Sequence, residues 1–366
     1  MSSQKRILKV FWKVTDVIYT FLHKHLSKKK SPSNRIIIFS QDRIGDNLLK
    51  VRIFQEYLSF FNDYDITFII IKDTEEIAKT LGLNYVIIDR KAFSLNIFYR
   101  YKFLRQFHSL APEMLIFTSY CFENDAISTL LSYIKVACLE LQQNQTYLNA
   151  QRILFEKVTS IPIDIESLSQ DDKVIQSLIP VLDIPFDKPI IVFGIGALHT
   201  MRYYPAQKMV VVIEHFVKLG YQVCLLGKGR LDESYVQAIF AIRPQLASQI
   251  FNGVSNLSLL QSFSIIQNAD LFIGVESGLL QACYLLNKKG IAIYGGGHFG
   301  VFKHSNSNLH YIYDKLPCFG CNWEQCDKSN LNKEPAFCID QISPLRIIET
   351  AQKILTHDSA LRTQML

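Results

Sequence analysis

The chain has 366 residues, of which 49% are hydrophobic and 20% charged, with a formal net charge of +6. That length holds two domains of ordinary size, and that much apolar content excludes extensive disorder. Eight basic residues crowd into positions 1–30 against Asp16 alone, a local +7 that leaves −1 for the rest, so the body has no basic face suited to gripping nucleic acid.

Residues 1–34 read as a basic amphipathic segment and linker. In ILKVFWKVTDVIYTFLHKHLSKKK, Phe11, Trp12, Tyr19 and Phe21 mix with lysines, and Lys9, Lys13, Asp16 and Lys24 break the apolar run. No stretch reaches the roughly 20 apolar residues that span a bilayer. The pattern suits a helix lying in a membrane interface, held by apolar burial and anionic lipid; an amphipathic helix docked on the body has the same pattern. No cleavable signal peptide is apparent, so the expected location is cytoplasmic, peripheral on the inner face of the membrane.

From Arg35 onward, short β-rich runs alternate with helical patterns. Ile36–Phe39, Ile66–Ile71, Tyr85–Ile88 and Met114–Phe117 are expected strands. Leu48, Val51, Phe54, Leu58 and Phe61 recur at helical spacing and mark one buried face. Residues 35–170 form the first expected domain and 171–188 a polar linker. In residues 189–366 the pattern restarts with strands at Ile190–Phe193, Gln222–Leu226, Leu271–Val275 and Ile291–Tyr294. Between them a helix over Pro205–Leu219 is stopped by Gly220. Strands alternating with helices imply parallel sheets, and two such sets imply two Rossmann-like domains, with ligands in the cleft beyond the carboxyl ends of the strands.

Four turns follow expected strands at those ends. In the first, SQDRIGDN, Asp46 follows Gly45 where a strand hands over to a helix; it is a candidate catalytic base or a helix cap. In the second, FGIGALHTMRYYP, Gly196 frees the backbone, and Arg202 could neutralise a diphosphate or lie on the surface. In the third, GVESGLLQ, Ser277 and Gly278 sit at a helix N-terminus, where N–H groups attract phosphate. Glu276 is placed to accept from sugar hydroxyls, and plain N-capping by Ser277 fits as well. The fourth, YGGGHFG, contains Gly296 and His298 and suits either close approach of backbone to a ligand or a mobile loop. The triplet Asp63-Tyr64-Asp65 precedes a strand and reads as a solvated loop, away from the ligand side.

These turns, in this order, resemble the heptosyltransferase-type glycosyltransferases of sugar-transferase family nine, which have the GT-B fold, over about Arg35 to Arg346. The resemblance implies that Asp46 is the catalytic base and that Arg202-Tyr203-Tyr204-Pro205 stands for the family's Lys-x-Trp-Pro phosphate turn. It further implies that Gly274 to Gln281 stands for Gly-x-Asp-Ser/Thr-Gly-x-x-His, with Glu276 longer than the usual Asp and Gln281 in place of the histidine. The implied reaction is metal-independent, inverting transfer from a nucleotide-diphosphate sugar to a hydroxyl of a lipopolysaccharide or other surface glycan or glycolipid. Donor contacts fall to Gly196, Arg202, Glu276, Ser277, Gly278, Gln281, Gly296 and His298. A nucleotide-sugar 2-epimerase and a non-catalytic nucleotide-sugar-binding scaffold are the competing readings.

Of eight cysteines, Cys121, Cys138, Cys224 and Cys283 stand in apolar contexts and read as small buried hydrophobes. Cys318, Cys321, Cys326 and Cys338 cluster in a loop over 318–338 that could hold structural zinc or an iron–sulfur cluster, or carry four reduced thiols.

Overall fold

The computed structural model describes residues 16, 33–119, 135–140, 142, 145–165, 176, 179–180, 186–304, 308–324, 326–331 and 334–364. The rest of segment 1–34, most of the expected linker 171–188, and Cys121 lie outside the described residues. The chain divides into two compact units, one of residues 1–143 and 148–165, the other of 144–147 and 166–366.

The first unit carries a five-stranded sheet: β1 (Ser33–Ser40), β2 (Asp65–Ile70), β3 (Tyr85–Ile87), β4 (Pro112–Phe117) and β5 (Lys135–Cys138). Its order is β3-β2-β1-β4-β5, and every pairing is parallel. Ile36 to Phe39 of β1 are almost wholly buried, as expected for a central parallel strand covered on both faces. The helical face after Asp46 is two helices, α1 (Ile44–Leu49) and α2 (Val51–Phe60), with Lys50 at the joint. Asp65 begins β2 and pairs with Arg35 at 2.7 Å on the exposed surface. Cys138 lies on edge strand β5 and is exposed, which corrects the expectation that it is a buried hydrophobe. Cys224 and Cys283 are buried as expected.

Asp16, from the basic N-terminal segment, is buried in this unit. The Nε of Arg100, on α3 (Ile97–Leu110), donates to Asp16 Oδ1 at 2.8 Å, and neither side chain reaches solvent to more than 4%. At this point the segment is held on the body. No helix among the described residues is long and apolar enough to cross a membrane.

The second unit carries a six-stranded parallel sheet in the order β11-β10-β9-β6-β7-β8. Its strands are β6 (Ile190–Gly194), β7 (Gln222–Leu226), β8 (Phe251–Asn252), β9 (Leu271–Val275), β10 (Gly290–Ile293) and β11 (Leu309–Ile312). Helix α4 (Ala206–Lys218) begins after Pro205, and beyond it Gly220 adopts φ +85°, the left-handed conformation that glycine supplies at a helix end. Helices α5 (Arg230–Ile242), α6 (Leu259–Asn268), α7 (Gly278–Leu285) and α8 (Pro344–Gln364) complete the coat.

In each sheet, strand order reverses beside the first strand of the unit. In the first unit the reversal lies between β1 and β4, and in the second between β6 and β9. Crevices form at such switch points beyond the carboxyl ends of the strands. The turns after β1, β6 and β9 therefore occupy the places where ligands bind.

Candidate functional site

At the first switch point β1 ends at Ser40 and α1 begins at Ile44. Asp46 stands half-buried in the first turn of that helix. The N-cap is Arg43, which makes no side-chain cap bond, so Asp46 is not the cap of the helix. Its charge still complements the partial positive charge of the helix start.

Behind this turn lies a cation that sequence reasoning missed. Lys50 is fully buried, and its Nζ reaches Asp42 Oδ2 at 2.9 Å, Thr118 Oγ1 at 3.3 Å and Ser40 Oγ. Asn47 Nδ2 donates to the Asp42 carbonyl at 2.7 Å and to the Arg43 carbonyl at 3.1 Å. Gln151 Nε2 donates to the Thr118 carbonyl at 2.7 Å. A buried ammonium is tolerable only when paired and hydrogen-bonded. The network therefore ties the turn bearing Asp46 to the end of β4. Its one sequence signal was a lysine four positions before Phe54, on the face that α2 buries.

At the second switch point the turns after β6, β9 and β10 bring charged groups together. Glu276 directly follows β9, with a side chain only 5% exposed. Its Oε1 lies 2.9 Å from His298 Nδ1 and 3.8 Å from Arg202 Nη1. Arg202 Nη2 is 3.4 Å from His298 Nδ1, and the Arg202 guanidinium stands 5.7 Å from the centre of the Trp323 ring. Trp323 was not anticipated; it comes from the cysteine-rich loop.

Four buried polar atoms in this cluster have no hydrogen-bond partner among the described residues: Arg202 Nε, Glu276 Oε2, Ser277 Oγ and Trp323 Nε1. Ser277 occupies the N-cap position of α7 with extended backbone, yet its hydroxyl does not cap. An unmet buried hydrogen-bonding group costs roughly 1–3 kcal/mol. Three donors and one acceptor gathered at a switch point, beside the helix start at Gly278, could meet a ligand that has both acceptor oxygens and hydroxyls.

The arginine turn is anchored from two sides. Residues Thr200–Arg202 form a 3-10 turn. The Tyr203 hydroxyl donates to the buried carboxylate of Asp232 near the start of α5, which also accepts from Lys228 N–H at 2.6 Å. A Cβ on Gly196 or Gly227 would fall on that carboxylate, so Gly196 makes room for Asp232. Burial raises the Asp232 carboxyl above the ordinary range against the pull of the Tyr203 hydrogen bond. On the other side Ala336 N–H donates to the Met201 carbonyl at 2.9 Å. A cavity of about 510 Å³ opens behind this turn, lined among others by Tyr203, Tyr235, Lys328, Glu334 and Phe337. It contains none of Arg202, Glu276, Ser277 or His298.

The triple glycine after β10 has a reason other than approach to a ligand. A Cβ on Gly295 or Gly297 would fall inside the indole of Trp323, and one on Gly296 inside the ring of Phe319. Aromatic rings of the cysteine-rich loop lie where these side chains would be. Gly296 N–H also donates to Cys338 Sγ at 3.3 Å. Gln281, on α7, is buried: its Oε1 accepts from His304 Nε2–H at 2.6 Å, and the His304 ring stacks on Tyr284 with centroids 3.6 Å apart.

Burial is the main cause that raises the Cys338 thiol above its ordinary range, and Cys318, Cys321 and Cys326 add to it. The four sulfurs therefore share one neighbourhood. Among the described residues, however, no three His, Cys, Asp or Glu side chains form a set that could hold a metal ion.

Residues 129–331, more than half the chain, match the model of glycosyltransferase family 9 (heptosyltransferase). No curated protein matches the sequence. Among solved structures, a family 9 glycosyl transferase from Veillonella parvula is 14% identical with a TM-score of 0.65, covering 90% of this chain and 100% of that one. The ADP-heptose LPS heptosyltransferase II of E. coli is 13% identical with a TM-score of 0.66, covering 89% and 99%. The iron-containing dodecameric glycosyltransferase TibC of enterotoxigenic E. coli is 12% identical with a TM-score of 0.55, covering 91% and 78%. These likenesses carry the fold, two α/β units of GT-B type.

Proposed function

The chain belongs to glycosyltransferase family 9, and from that premise we propose that it moves a heptose or related sugar from an ADP-sugar to a hydroxyl of a lipopolysaccharide or other surface glycan, with inversion. The observation that carries the donor half is the cluster of Arg202, Glu276, Ser277 and Trp323 polar atoms left unmet at the second switch point. The ADP-heptose named for one similar structure is a ligand of that kind.

Asp46 accepts the acceptor's hydroxyl proton as that oxygen attacks the anomeric carbon. The bond from that carbon to the diphosphate breaks, and its electron pair leaves with the diphosphate oxygen. Arg202 and the N–H groups at the start of α7 offset the growing negative charge. Ser277 and Gly278 let a phosphate reach the backbone, and Glu276, oriented by His298, accepts from a sugar hydroxyl. General-base catalysis of this kind contributes about 10² to 10⁴ in rate. The acceptor, on a glycolipid, is met at the inner membrane face, to which the basic residues of segment 1–34 are suited.

The test is transfer from ADP-heptose to deep-rough lipopolysaccharide. Asp46→Asn should lower kcat about 10² to 10⁴-fold while melting like the wild type, and the new bond should have the anomeric configuration opposite to that of the donor. Full activity in folded Asp46→Asn protein removes the base. A donor altered without any acceptor points to an epimerase, and donor binding without turnover to a scaffold.

The cysteine quartet is a separate proposal. As placed, the thiols are not a ligand set, so zinc or an iron–sulfur cluster would have to draw the loop together, and no catalytic step depends on it. Protein purified without added zinc should then contain about one metal site per chain; a ratio near zero ends the idea.

A further inference from the structure

We propose that Trp323 is a donor-binding residue, its indole N–H donating to an oxygen of the diphospho-sugar held by Arg202 and Glu276. This rests on the donor reading above and assigns part of that site to the cysteine-rich loop, none of whose residues stands in the expected donor set.

Trp323 Nε1 is buried and without a partner among the described residues, like Arg202 Nε, Glu276 Oε2 and Ser277 Oγ. It belongs to their cluster, with the indole 5.7 Å from the Arg202 guanidinium and 6.2 Å, edge-on, from the His298 ring. A tryptophan serving only as packing could turn its N–H toward solvent or a carbonyl. Here the surroundings hold it in place at several costs. Asn322 and Trp323 both adopt left-handed backbone, φ +52° and +60°, a conformation unfavourable for a bulky side chain and found where structure around a site imposes it. Asn322 N–H donates to the Gly297 carbonyl at 2.9 Å, pinning the loop against the triple glycine. Gly295 and Gly297 lack side chains where the indole lies. Strained backbone, vacated side-chain space and an unmet N–H all serve one orientation of one ring, beside the cation and carboxylate that the reaction requires.

The chemistry is complementary. Arg202, Ser277 and Trp323 supply donors for phosphate and sugar oxygens, and Glu276 accepts from a hydroxyl. A neutral indole N–H adds direction without adding charge, and its flat face suits the C–H side of a sugar ring.

The chain has two tryptophans, Trp12 and Trp323, so Trp12→Phe leaves Trp323 as the sole indole fluorophore. Titrating that variant with ADP and with ADP-heptose should change its emission, with thermal stabilisation by the same compounds recording binding independently. Trp323→Phe keeps most of the ring and removes the N–H. It should weaken ADP-heptose binding about 3- to 10-fold, the worth of one neutral hydrogen bond, and leave the ligand-free melting temperature unchanged or higher because an unmet polar group is gone. The acceptor KM should not move. Stabilisation by ADP-heptose with unchanged Trp323 emission overturns the inference and spares the donor reading; so does unchanged affinity in folded Trp323→Phe protein. Absence of ADP-heptose binding to the wild-type chain overturns both. Should Trp323→Phe fail to fold, the emission of the Trp12→Phe protein decides.

Discussion

Mild acid should weaken the second unit through His304. This imidazole is buried, stacked on Tyr284 and donating to Gln281, and burial depresses its pKa from 6.5 to about 3. Above about pH 6.5 the ring is neutral whether the chain is folded or unfolded, and the native contacts contribute in full. As pH falls below that value the unfolded chain takes up a proton that the folded chain refuses, so stability is lost downward toward the depressed pKa. At about pH 5 an unfolded imidazole is roughly thirty-fold more often charged than neutral, which makes the loss about 2 kcal/mol relative to pH 7.5. The figure is insensitive to the depressed value itself, because any folded pKa well below 5 gives the same result. Denaturant titrations at the two pH values, followed by Trp323 fluorescence in the Trp12→Phe background, measure the difference. His304→Gln keeps an N–H for Gln281 and removes the titration, so its stability should fall about 2 kcal/mol less over the same interval; parallel profiles for the two proteins would refute the argument.

Gly297→Ala places a methyl inside the Trp323 indole; overpacking of this kind costs about 1–3 kcal/mol, and a denaturation midpoint equal to wild type would contradict the packing reason for the glycines. Lys50→Met takes the ammonium from a buried network and should destabilise by about 3–5 kcal/mol, whereas adding Asp42→Asn should recover part of that loss in a double-mutant cycle. A single variant as stable as the wild type would mean that Lys50 does not hold the Asp46 turn.

How far the molecule was legible before folding depends on the range of each signal. The strands at 222–226 and 271–275 and the Pro205 start and Gly220 stop of α4 coincide with the observed elements, because hydrophobic period, proline and glycine act within a few residues. The turn carrying Arg202 and the turn carrying Ser277 were recognisable for the same reason, and parallel topology brings them to one switch point. The Asp46 turn falls at the other. What could not be read depends on partners far along the chain. Gln281 meets His304 across 23 residues. Tyr203 meets Asp232 across 29, and Lys50 meets Thr118 across 68. The edge position of Cys138 followed from β5, a strand the hydrophobic pattern did not announce.

The order of residues by itself determined two α/β units and the chemistry of the turns at their ligand edges, because chain stiffness and hydrophobic spacing are local properties. Only the tertiary structure decided which polar atoms are buried without partners, why three glycines follow β10, and that a tryptophan of the cysteine-rich loop stands beside Arg202. Burial and desolvation are properties of a neighbourhood, and here that neighbourhood is assembled from segments tens of residues apart.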